Sequence, residues 1–164
     1  MMLGFGYNKN TVKDGLKRST RAVLIGGLFH HEHASSFGLN EEGSAWLYTE
    51  MQAQLIFCIG IAFEVKICGK KSWATPQFMQ DCIKEEILDY EKREGMSPGS
   101  ILSYIFRRLY EIETMTPQER RDLIHLRQSA ELIQEKDRRA DIAALSKLFE
   151  SKTREFVSIL LEKF

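Results

Sequence analysis

Apolar positions recur along most of this chain at the three- and four-residue intervals of an α-helix, and no strand-like alternation bounded by turn residues interrupts them. One stretch departs from that periodicity. Leu55 to Phe63 reads Leu-Ile-Phe-Cys-Ile-Gly-Ile-Ala-Phe, nine positions without a polar side chain. A surface helix keeps a polar face, so an apolar run that goes all the way round has to be enclosed by protein or by lipid. Spanning a hydrocarbon core takes roughly 20 apolar residues. Here polar and charged residues close in on both sides, with Glu50, Gln52 and Gln54 before the run and Glu64 and Lys66 after it. The pattern predicts a helix over about 40–68, wrapped by the others at the centre of the fold.

The remaining elements follow from stripes and their punctuation. Val12, Leu16 and Val23 share one face of a first helix, capped by Asn10 with Asp14 in its early turns and expected to end near His31. Residues 1–9 form an apolar, glycine-containing N-terminal tail, either docked or frayed. After the loop Ala34–Gly38, Asn40 caps the long apolar helix, with Glu41 and Glu42 favourably placed at its start; Gly69 stops it. Gly60 in its interior costs about 1 kcal/mol relative to alanine, which predicts a neighbouring helix crossing closely at that point. Thr75-Pro76 starts a third helix and Gly95 stops it, with Met79, Ile83, Ile87 and Tyr90 as its stripe. Ser97-Pro98 gives the same start signal to a fourth, with Ile101, Leu102, Ile105, Leu109 and Ile112 inward. Thr116-Pro-Gln-Glu119 forms a capping box. From there Leu123, Leu126, Ala130 and Ile133 keep one register, and Ile142, Leu145, Phe149, Phe156 and Ile159 a shifted one. The polar run 134–139 between them predicts a turn between two antiparallel helices, or one long helix with a stutter.

These elements make an all-α fold, a five- or six-helix bundle in a single domain covering 1–164. Length and composition agree. A chain of 164 residues, 43% hydrophobic and 28% charged, buries a core without metal or disulfide staples. Lys+Arg and Asp+Glu both number 23, and neither half of the chain is strongly biased, so no global field recruits nucleic acid or an anionic membrane. The three cysteines, Cys58, Cys68 and Cys82, are odd in number and lack CxxC spacing, which points to a reducing, cytoplasmic setting. Basic residues before Ala22–Phe29 imitate a signal peptide. The apolar part is short, however, and histidines stand where a cleavage site belongs, so secretion is not expected.

Candidate chemistry is sparse. His30, Glu32 and His33 form the one cluster of ligand-type residues, and imidazole with carboxylate suits zinc, copper, nickel or iron. The HExxH spacing that would add a general base is absent; the competing reading is an exposed polar helix end. Glu64, at the exit of the apolar run, is either a buried proton carrier or a solvated carboxylate where the helix leaves the core, and the second is favoured. No phosphate loop or nucleophile elbow occurs, and no cofactor is expected.

Lys9, Lys13, Lys17 and Arg21 climb one helix face at intervals of four, with Arg18 beside them. Next to the apolar N-terminus they resemble a membrane-surface amphipathic helix, with nucleic-acid phosphate the other anionic partner such a ladder could meet. Such a ladder is also what a solvated face looks like. Phe149, Phe156, Ile159, Leu160, Leu161 and Phe164 exceed what a single inward face needs, so part of that surface is expected to meet another chain or the apolar N-terminal tail. The expected function is therefore a non-enzymatic helical protein-interaction or regulatory module, self-associating as a homodimer. The alternatives are a metal-binding protein or enzyme using the His30–His33 cluster, and a peripheral membrane protein using the basic first helix.

Overall fold

The computed structural model describes residues 8–26, 41–114, 147, 151, 154–156, 158 and 159, with the side chains of 41–47 and 50 outside that set. The described residues are helical apart from the connecting turns. They comprise α1 (Lys9–Leu24), α2 (Glu41–Lys66), α3 (Pro76–Arg93) and α4 (Ser100–Thr114), with further helical positions between 147 and 159. The segments carrying His30–His33, the Ala34–Gly38 loop, the Thr116 capping box and the register change at 134–139 lie outside the described residues.

The start of α1 falls earlier than the stripe suggested. Asn8, not Asn10, is the cap: its Oδ1 accepts from the Asn10 N–H at 2.9 Å and the Thr11 N–H at 3.3 Å. Residue 9 therefore belongs to α1, and residue 8 is its cap. The helix also ends at Leu24, short of His31. Gly26 adopts φ +78°, and the space where its Cβ would stand is taken by the Tyr48 hydroxyl, 2.6 Å away. The Tyr48 hydroxyl and the Gln52 side-chain amide both donate to the Leu24 carbonyl, each at 3.2 Å. Two side chains of α2 thus satisfy a terminal carbonyl of α1 and decide where it stops.

The other boundaries are local. Thr75 Oγ1 accepts from the Phe78 N–H at 3.1 Å with Pro76 at the first helical position, and Gly95 at φ +67° follows the end of α3. Ser97-Pro98 does not start α4. Residues 97–99 form a turn closed by the Ser100 N–H on the Ser97 carbonyl, and the helix begins at Ser100. Its amino end is instead capped from α3. The buried Glu91 carboxylate accepts from the N–H groups of Gly99, Ile101 and Leu102 at 2.6, 2.9 and 2.8 Å. A negative charge at a helix N-terminus satisfies orphan donors and complements the helix dipole.

Among the described residues, α2 supplies the largest share of the core, including Met51, Ile56, Ile59 and Phe63. They meet Leu16 and Leu24 of α1, Ile83 and Ile87 of α3, and Ile105 of α4. Helix α1 packs chiefly on α3, and α2 on α4 and α1. At the α2–α3 turn Trp73 and Phe63 both pack against Phe78. Cys58 and Cys82 are buried, and burial pushes the Cys58 thiol up to about 12, so it acts as a small apolar filler. The enclosure of the apolar run is incomplete. Phe57 and Gly60 are half-buried and Ile61 is 40% exposed, so one side of α2 lies open.

Candidate functional site

The open side of α2 is the floor of a groove. Phe57, Gly60, Ile61 and Glu64 follow one another at helical spacing along it, with Ile56 behind them. Helix α3 contributes Met79, Gln80 and Ile83. Helix α4 supplies the opposite wall with Phe106, Leu109, Tyr110 and Glu113, again on one face. The volume is 470 Å³, in the range of sites that bind ligands or anchor side chains. At Gly60 the Met79 sulfur lies 3.4 Å from where a Cβ would be, an ordinary contact with a flexible side chain. Among the described residues no other helix backbone comes within 4 Å of that point, so the close crossing expected there is not what the glycine provides. Ile61, Tyr110, Glu64 and Glu113 are exposed at the rim, and Tyr110 is 69% exposed. Glu64 is thus a surface carboxylate where α2 leaves the core.

The basic ladder faces acids on α3. Lys13 and Lys17 reach Glu85 at 3.4 and 3.1 Å, and Lys17 also lies 3.7 Å from Asp89. Arg21 binds Glu86 through two hydrogen bonds of 2.7 and 3.3 Å, and Arg93 adds a third at 3.1 Å. Lys9 stands over the Phe78 ring, 5.7 Å from its centroid. Arg18 is exposed. Glu86 itself is fully buried. Burial opposes its charge, yet the hydrogen bonds and charges of Arg21 and Arg93 outweigh that and hold its carboxyl below the ordinary value. The ladder is therefore engaged inside the molecule, and a membrane or phosphate partner is not needed to account for it.

The other residues singled out by sequence are placed as follows. Phe156 is buried in the core and Ile159 is half-buried, so Phe156 is spent on intramolecular packing. Phe149, Leu160, Leu161 and Phe164 lie outside the described residues, as do His30, Glu32 and His33. Among the described residues no group of three or more His, Cys, Asp or Glu side chains is placed to hold a metal ion. No described helix is long and apolar enough to cross a membrane.

Sequence reasoning did not foresee the groove. The signal was present on α4, where Phe106 and Tyr110 stand beside the inward pair Ile105 and Ile112 and widen the apolar arc beyond one core face. Comparison with known proteins adds nothing to the geometry: no family model, no curated protein and no solved structure matches this chain.

Proposed function

We propose that this chain is a helical protein-interaction module whose working surface is the groove between α2, α3 and α4, on a bundle of five or six helices built around α2. The reading rests on one observation: an apolar trough bordered by Ile61 and Tyr110, side chains that folding leaves in water. Contiguous exposed apolar surface with a polar edge is the usual mark of an interaction site. The lining residues run from 56 to 64 on α2, which at 1.5 Å per residue is about 12 Å, or two helical turns. That length suits the anchors at i, i+3 or i+4, and i+7 of an amphipathic helix. The unpaired thiols support a cytoplasmic setting.

The test is a titration of the isotope-labelled protein with a synthetic amphipathic helix bearing leucines on one face and glutamines on the other. Amide shifts should concentrate in 56–64 and 106–113, and Ile61→Asp should weaken binding at least about tenfold while leaving stability within about 0.5 kcal/mol, because Ile61 is a surface position. Shifts scattered over the molecule, or binding indifferent to Ile61→Asp, would remove the groove as the working surface. Sedimentation of the same samples tests the homodimer expected from residues 149–164.

A further inference from the structure

The rim of the groove carries a chemical bias. Both of its charged residues are acids, Glu64 on α2 and Glu113 on α4, and no lysine, arginine or histidine lines it among the described residues. Each acid stands near the carboxyl end of its helix, since α2 ends at Lys66 and α4 at Thr114. The aligned peptide dipoles make that end of a helix partially negative, so a carboxylate is electrostatically disfavoured there and a cation favoured. The last turn of α2 carries Lys66, which does not line the groove, and the last turn of α4 contains no basic residue. Among the described residues neither Glu64 nor Glu113 has an ion-pair or hydrogen-bond partner, whereas Glu85, Glu86, Glu91 and Asp89 are all engaged. Two free carboxylates and two helix carboxyl ends therefore converge on one apolar trough. Nothing within the described fold uses that charge.

Building on the groove as a docking surface, we propose that its occupant is an amphipathic helix of another protein that carries lysine or arginine beside its apolar face, and that Glu64 and Glu113 select it. The apolar floor supplies attraction to any helix of suitable shape. The rim supplies the choice, because exposed charges at an interface govern orientation, association rate and rejection of the wrong partner more than gross affinity. An acidic partner helix would bring like charges together over a negative dipole end. A second copy of this chain would have to bring a basic surface of its own.

The experiment uses three fluorescein-labelled synthetic helices with the same leucine face and with lysine, glutamine or glutamate flanks, read by fluorescence anisotropy against the full chain. The lysine peptide should bind about tenfold or more tighter than the glutamate peptide at low salt, with the gap shrinking as ionic strength rises. Glu64→Gln combined with Glu113→Gln should abolish that preference, bringing the lysine and glutamate peptides to within about twofold of each other. Ile61→Asp should weaken all three. Equal binding of the three peptides, still lost on Ile61→Asp, would overturn the charge selection and leave the groove standing. Binding insensitive to Ile61→Asp, or no binding, would overturn both. A chain that sediments as a dimer, becomes monomeric on Ile61→Asp and excludes the peptides would make a second copy the occupant and overturn the proposed partner.

Discussion

Glu91 gathers three backbone amides of the α4 entrance from inside α3, and its own side chain is almost fully enclosed. Replacing it with alanine orphans those donors where water enters poorly. Glu91→Ala should therefore cost about 2–3 kcal/mol in urea denaturation, with Glu91→Gln in between because one acceptor oxygen survives. A loss below about 0.5 kcal/mol for Glu91→Ala would show that α4 is held by packing alone. At this scale some residues were readable and others were not. Thr75, Pro76 and Gly95 act on neighbours within a few positions, so their roles follow from order in the chain. Glu91 looks like any acid on an amphipathic helix until the fold brings the α4 amides to it. Asn8 was readable in principle, but Asn10 competes for the same role two positions on and lies within the first turn.

Between elements, α1 and α3 meet through charge as well as through apolar contact. Lys13, Lys17 and Arg21 engage Glu85, Glu86 and Asp89. Most of these groups are half-exposed, and such pairs contribute modestly. Glu86 differs because it is buried with two arginines reaching in from solvent. Its carboxyl titrates below the ordinary 4.5 in the folded chain, so folding favours its ionised form. That contribution is complete above about 4.5 and is lost as pH falls through the lower folded-state value. Glu86→Gln should accordingly be destabilised by about 1–3 kcal/mol at pH 7, and the gap to the parent chain should close on acidification below 4.5. A gap that stays constant from pH 7 to pH 3 would show that the Arg21–Glu86–Arg93 cluster carries no net stability. The ladder's periodicity was plain in sequence, and its partner was not, because spacing reveals which residues share a face and not what that face meets.

Across the whole molecule, the buried side of α2 and its open side should behave differently. Met51, Ile56, Ile59 and Phe63 are buried in the core, while Phe57, Gly60 and Ile61 face the groove. Backbone hydrogen bonds anchored in the core open only with global unfolding. Deuterium uptake at 55–63 should therefore be among the slowest in the chain and should slow further, by at least severalfold, when the lysine-flanked helix occupies the groove. Rapid exchange at 55–63 in the free protein would contradict a core built on α2.

Helical class, the long apolar element and the limits of α3 came from the amino-acid order itself. Periodicity, capping and glycine stops act within a turn or two, so the chain states them locally. Three features waited for the tertiary structure: the halt of α1 before Gly26 beneath Tyr48, the pairing of Arg21 with Glu86 from 65 positions away, and the unsealed flank of α2 at Phe57, Gly60 and Ile61. Each depends on which surfaces meet after helices have formed. An all-round apolar run requires enclosure in general, but only the packing of α3 and α4 determines which side is left for something else to cover.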